Sequence, residues 1–158
     1  MGRKKPIKKA DKPRSAGKDK FQAAIDHLTE YGGVKGAVIS DHEGLVLAGG
    51  GNGAFDPEHS AAYSVEVFEA LRGPLGRLLE PEVDFLVIKT PTDWLTLARV
   101  RHLLLVVAAR RQADDLLGIR INQALEMISV HLEDKYAVSL KNEISDSHTA
   151  KRLEEVNV

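Results

Sequence analysis

Hydrophobic positions recur along this chain with two periods, and the switches between them mark the elements. From Asp19 onward, Phe21, Ala24, Ile25, Leu28 and Tyr31 fall at i, i+3, i+4 and i+7 spacing, which predicts a helix closed by Gly32-Gly33. Val34 to Ser40 reads as a strand and Leu45 to Ala48 as its hairpin partner. Asp41-His42-Glu43-Gly44 joins them as a surface turn in which Gly44 is free to take positive φ. Gly49-Gly50-Gly51-Asn52-Gly53 follows and reads as a flexible loop. It is not a phosphate cradle, because no Lys-Ser/Thr follows and the register does not give GxGxxG before the helix. The next helix opens on Asp56 as N-cap, Pro57 and Glu58, carboxylates that suit the helix dipole and repel phosphate.

The middle helix, Pro57 to about Glu80, is the most informative element. Ala61, Val65, Phe68, Leu75 and Leu79 form one stripe; Tyr63, Val67, Ala70 and Leu78 form another, with Leu71 between them. Glu58, Glu66, Glu69, Arg77 and Glu80 share the opposite face. The apolar arc spans about 220°, where a helix on one sheet needs little more than about 100°. Such a helix must be covered on two sides, by its own sheet and by a second helix of this chain or of a partner. Gly73-Pro74-Leu75-Gly76 predicts a kink or break, because Pro74 lacks the donor and clashes with the preceding turn.

Three strands follow: Val83 to Thr90, Trp94 to Val100, and Leu103 to Ala109. Pro81 and Pro91 flank the first, as suits an edge. The last is apolar on both faces, as suits a central strand. Asp114 or Asp115 caps a final helix whose main stripe is Leu117, Ile121, Ala124, Leu125, Ile128 and Leu132. Packing beside the first helix would account for the weaker stripe Leu116, Ile119, Met127 and Val130. The polar segment 136–158 reads as a tail able to form a short helix over 149–156.

Charge changes this picture at one place. The 158 residues carry a net charge of −1, but residues 1–20 hold nine Lys/Arg against two Asp, leaving an acidic remainder of −8. Residues 1–18, with Arg3, Lys4, Lys5, Lys8, Lys9, Lys12 and Arg14 and only Ile7 as a large apolar side chain, read as a disordered basic arm. Such an arm suits a weak, non-specific and salt-sensitive contact with nucleic acid or an anionic membrane, or serves only as a solvated tail. The longest strongly apolar run, Leu103 to Ala109, is too short to span a bilayer, and the N-terminus lacks the pattern of a secretory signal. The cytoplasm is the expected compartment.

Candidate catalytic chemistry is sparse. The chain has no Cys, which excludes disulfides, thiolate zinc sites, iron–sulfur clusters and a cysteine nucleophile. His27, His42, His59, His102, His131 and His148 give no metal spacing, and His59 and His131 read as helix-surface residues. Ser60 and Ser64 have no nucleophile elbow, and Glu66 and Glu69 have no sugar cleft. No enzymatic activity, cofactor or metal is expected, and no convergent polar set in an apolar pocket suggests a small-molecule sensor.

The element order α-β-β-α-β-β-β-α and two segments together carry a resemblance. Gly33-Val34-Lys35-Gly36-Ala37-Val38-Ile39-Ser40-Asp41-His42-Glu43-Gly44-Leu45-Val46-Leu47-Ala48 resembles the opening hairpin of the roadblock/dynein light chain family. Leu103 to Ala109 followed by Asp115-Leu116-Leu117-Gly118-Ile119-Arg120 resembles its last strand and following helix start. The likeness covers residues 20 to about 135, giving a roadblock-like domain over 19–135. It is nearest to stand-alone bacterial and archaeal members, among them the gliding-motility polarity regulator that pairs with a Ras-like GTPase.

The resemblance implies an α+β sandwich: a five-stranded antiparallel sheet, the first and last helices on one face and the middle helix on the other. It implies homodimerisation through middle helices set side by side and edge strands joined into one sheet. It also implies a non-catalytic regulator or scaffold for a Ras-like small GTPase, able to stimulate GTP hydrolysis. The expected seam residues are Tyr63, Val67, Ala70 and Leu78 with Phe85 and Val87 on the edge strand; the other helix stripe stays open as the seam. Arg72 and Arg77 are in reach of a GTPase or are solvated surface charge. The alternative function is a dimeric adaptor tethered by its basic arm to nucleic acid or an anionic membrane.

Overall fold

The computed structural model describes residue 2, residues 16–79 and residues 83–156. Eight elements follow in the expected order: α1 (Ala16–Thr29), β1 (Val34–Asp41), β2 (Val46–Gly51), α2 (Pro57–Gly76), β3 (Phe85–Lys89), β4 (Asp93–Val100), β5 (Leu103–Arg110) and α3 (Leu116–Val156). The five strands form one antiparallel sheet in the order β2-β1-β5-β4-β3. β5 is central and apolar on both faces, and β3 is an edge, as their sequences require.

Strand alternation divides the interior into two layers. Ala37 and Ile39 of β1 and Leu103, Leu105 and Val107 of β5 face α1 and α3, where Phe21, Ile25, Leu28, Leu117, Ile121 and Ile128 meet them. Val38, Leu97, Leu104 and Val106 face the other way, against Ala61 and Phe68 of α2. Each fully buried Leu, Ile or Phe contributes about 1.5–3 kcal/mol, so the aliphatic layers suffice without aromatic bulk.

Short polar devices fix the ends. The Asp56 carboxylate accepts from the Glu58 and His59 amides at 3.0 and 3.2 Å and caps α2. In the β1–β2 turn the Asp41 carboxylate accepts from the Glu43 and Leu45 amides, both at 2.9 Å, and Gly44 takes φ 89°. These amides, that of Leu45 foremost, hold the Asp41 carboxyl below its ordinary pKa. The Lys35 ammonium, hydrogen-bonded to the Asp93 carboxylate from β1 to β4, lowers the Asp93 carboxyl likewise. Asp114 accepts from the Leu116 amide at 3.1 Å and from the Tyr31 hydroxyl, which raises the Tyr31 pKa. Arg120 donates to the His27 carbonyl at 2.8 Å, so the end of α1 is bound to the start of α3.

Several sequence expectations are corrected. Gly49, Gly50 and Gly51 are not a loop: they continue β2, opposite Val38, Ala37 and Gly36. Glycine is required there by close approach. A Cβ on Gly49 would lie 2.8 Å from Pro57, one on Gly51 2.5 Å from the Lys35 carbonyl oxygen, and one on Gly36 2.2 Å from the Phe55 ring. α2 stops at Gly76, two residues past Pro74, where the amide missing at Pro74 weakens the last turn. β3 pairs only over Phe85–Lys89. α1 begins at Ala16, three residues before the expected start.

α3 differs most. It runs unbroken through Val156, so the segment set apart as a tail continues the helix. His131 is not on the surface: it is 5% exposed and meets Phe21 edge-on at 4.8 Å, because α3 is covered on one flank by the sheet and on another by α1. The weaker stripe of Leu116, Ile119, Met127 and Val130 does not pack on α1 but faces solvent. Residues 133–143 are exposed throughout.

Two outcomes test these contacts. Gly51→Ala should lower stability in urea unfolding by about 1–3 kcal/mol, while Gly53→Ala, with open space around its Cβ, should stay within about 0.5 kcal/mol. Asp41 and Asp93 have folded pKa values below the unfolded value of about 3.9. Their stabilisation is therefore complete above that value and lost as pH falls through the folded values. Chemical denaturation between pH 6 and 2 should show this loss, reduced in the Asp41→Asn/Asp93→Asn double variant.

Candidate functional site

α2 crosses the sheet above β1, β2 and β5 and packs through Ala61 and Phe68 on Leu97 of β4, leaving Leu95, Leu86 and Ile88 toward the β3 edge only partly covered. Its core contacts are made by Ala61, Ser64 and Phe68. The second apolar stripe therefore faces solvent: Tyr63 is 66% exposed, Val67 37% and Leu78 79%, with Ala70 exposed between them. Burial favours the first stripe only through Ala61 and Phe68; Val65 and Leu75 are half-buried, and Leu79, past the end of α2, is 55% exposed.

Beside the exposed stripe lies a shallow hollow of about 300 Å³. Tyr63 and Val67 form one wall, and Leu95, Leu97, Val106 and Ala108 of the sheet form the floor. Leu95 faces α2 because it alternates with Thr96, and Leu86 and Ile88 of β3 share that face through their pairing with Leu97 and Leu95. This makes one apolar strip from α2 to the sheet edge, a surface that water solvates poorly and a second helix covers well.

The structure divides the expected seam residues. Phe85 and Val87 pair with Ala98 and Thr96, and Ala98 belongs to the layer beneath α1 and α3. The two side chains therefore point to the sheet face opposite the α2 stripe. The β3 residues on the α2 face are Leu86 and Ile88, which sequence reading missed. All four are apolar, so alternation alone gives no sign of which pair faces which way.

Arg72 and Arg77 lie about 140° apart around the helix axis and form no common patch. Arg77 follows the last turn as C-cap, and Arg72 approaches Glu69 at 3.9 Å. The basic-arm residues Arg3, Lys4, Lys5, Lys8, Lys9, Lys12 and Arg14 lie outside the described residues. Among the described residues no group of three or more His, Asp or Glu is arranged to hold a metal, and no helix is long and apolar enough to cross a membrane.

Comparison with known proteins agrees with this geometry. The roadblock/LC7 domain family model matches residues 20–109. Among solved structures, Myxococcus xanthus MglB is similar at a TM-score of 0.69 and 21% identity, covering 77% of this chain and 93% of that one. The gliding protein MglB of Thermus thermophilus gives 0.68 and 17%, covering 77% and 94%. A roadblock/LC7 domain from Streptomyces avermitilis gives 0.63 and 21%, covering 71% and 97%. At these identities the likeness is one of fold. No curated protein matches the chain.

The burial contrast on α2 is directly testable. Ala61→Glu places an unpaired charge at a fully buried position and should cost about 3–5 kcal/mol, whereas Tyr63→Glu should leave the protomer folded. Circular dichroism melts of dilute samples should separate the two variants.

Proposed function

The chain belongs to the roadblock/LC7 family, and from that membership we propose that it acts as a homodimeric, non-catalytic regulator of a Ras-like small GTPase. The observation that carries the reading is the apolar strip formed by Tyr63 and Val67 with Leu95, Leu86 and Ile88. A second copy turned by a two-fold axis sets its own α2 along the first. The same operation brings the two β3 edges together, so one self-complementary patch covers both the helix and the open strand. The paired α2 helices then offer the GTPase a broad platform with Glu66 and Glu69 on its outer flank.

Stimulation of hydrolysis on such a platform needs no donated arginine. The regulator holds the GTPase's own switch segments in their competent arrangement, a population shift driven by tighter binding to that state. The separation of Arg72 from Arg77 supports this over a paired arginine contact.

A second reading concerns location. The +7 charge of residues 1–20 against −8 in the rest supports an arm that attaches the dimer to nucleic acid or an anionic membrane, two arms per dimer adding avidity. It is compatible with the first, because the arm acts on where the dimer sits.

Val67→Glu should convert the dimer to a folded monomer in sedimentation velocity; an unchanged dimer would place the seam elsewhere. Tagged full-length protein should recover a Ras-like GTPase from lysate of its source organism, and Val67→Glu should lose it. Single-turnover GTP hydrolysis by the recovered GTPase should speed up with wild-type protein and stay accelerated with Arg72→Ala/Arg77→Ala. Deleting residues 1–15 should abolish salt-sensitive binding to anionic vesicles or nucleic acid and leave the dimer intact.

A further inference from the structure

The sheet has two edges, and they differ in what covers them. β3 meets its counterpart in the dimer proposed above. β2, at the other end of the order β2-β1-β5-β4-β3, is an edge in protomer and dimer alike. Edge strands are ordinarily blunted by charge, proline or brevity. β2 reads Val46-Leu47-Ala48-Gly49-Gly50-Gly51 and carries neither charge nor proline over its six residues.

Register shows what this edge offers. The Asn52 amide donates to the Lys35 carbonyl at 2.9 Å, just outside the Gly36–Gly51 pair. Antiparallel alternation then turns the amides and carbonyls of Ala48 and Gly50 toward β1 and those of Gly49 and Gly51 outward. The outward groups stand two residues apart, about 6.8 Å, the spacing that an added antiparallel strand meets. Glycine has no side chain to screen them. The Gly49 carbonyl accepts from the Gln22 carboxamide at 3.5 Å, a long contact that an incoming backbone amide improves on.

The margins of the edge are acidic. Gln22 marks the side of α1 turned to β2, and Asp26, hydrogen-bonded to it at 3.0 Å, stands exposed on that side. On α2, Pro57 lies against Gly49 and Ala62 against Gly44, and Glu58, one turn before Ala62, is exposed on the same flank. Leu45, 66% exposed, adds an apolar contact at the foot of the strand.

We propose that the β2 edge takes up an extended segment of a partner protein as a sixth strand, one rich in β-branched residues and carrying Lys or Arg on both faces. Main-chain hydrogen bonds to Gly49 and Gly51 supply the pairing, and the basic side chains reach Asp26 on one face and Glu58 on the other. A second copy of β2 is the poorer occupant. It brings its own Asp26 and Glu58 against like charges, and its glycines bury no side chain. The α2 face and the β3 edge stay free, so the site does not depend on the dimer.

The test uses the full chain and a fluorescent, end-capped nine-residue peptide of Val, Thr and Lys. Anisotropy should saturate at one peptide per protomer, equally in wild type and in Val67→Glu. Amide exchange read by NMR should slow at least tenfold at Gly49 and Gly51 and stay unchanged at Gly53. Asp26→Lys/Glu58→Lys, its fold checked by circular dichroism, should bind the peptide at least tenfold more weakly and admit the matching Val/Thr/Glu peptide. The same Val/Thr/Lys peptide N-methylated at its central amides should not bind. Absence of saturation, binding of the methylated peptide, or protection over Phe85–Lys89 in place of Gly49 and Gly51 overturns the β2 site. Unchanged affinity in the charge variant overturns a basic partner. Assembly of wild type beyond the dimer, with Gly49 and Gly51 protected before peptide is added, overturns it in favour of a second copy. A monomeric wild type that binds the peptide this way overturns the dimer and upholds the β2 site.

Discussion

One helix cannot cover a five-stranded sheet. The sheet is about 24 Å wide and a helix about 10 Å, so α2 shields β1, β2, β5 and Leu97 of β4 well but covers the outer part of β4 and β3 only in part. The partly covered strip is not polar: Leu95, Leu86 and Ile88 lie there, and Tyr63 and Val67 flank it. The wide apolar arc of α2 follows from the same shortage of cover. Its Ala61–Phe68 side meets the sheet, and its Tyr63–Val67 side is only partly covered by its own chain. Association, the open β3 edge and the platform for a partner all descend from that mismatch in width.

The fold was legible because its signals are local. Periodicity located every helix and strand, Asp41 and Gly44 identified the first turn, and Asp56-Pro57 located the start of α2. Where reading failed, the deciding fact lay between elements. Gly49 to Gly51 look like a loop until Pro57 and Phe55 are seen against their backbones. His131 looks like a surface histidine until α1 is laid along α3. The strip on the α2 face was half legible. The helix residues follow from a single stripe, but β3 is apolar at four consecutive positions, and only its register with β4 sends Leu86 and Ile88 one way and Phe85 and Val87 the other.

α1 and α3, which share one layer, are joined by polar contacts at their margins rather than by charge in the core. Tyr31, Asp114, Arg120 and His27 tie α1 to α3 at one end, and Phe21, His131 and Lys20 with Asp134 do so at the other. Each is worth little alone. Together they fix the angle between two helices whose shared surface is mostly aliphatic and would tolerate sliding.

That fixed angle matters for the free length of α3. Core burial on α3 ends at Leu132, and residues 133–143 are exposed over about 16 Å further at 1.5 Å per residue. A rod clamped at one end amplifies what happens at the clamp. A tilt of about 10° at Leu132 carries Glu143 through about 3 Å, about half a helical turn. Rearrangements of the α1–α3 contact too small to alter the sheet would thus be read out at a distance as displacement, with the body as fulcrum.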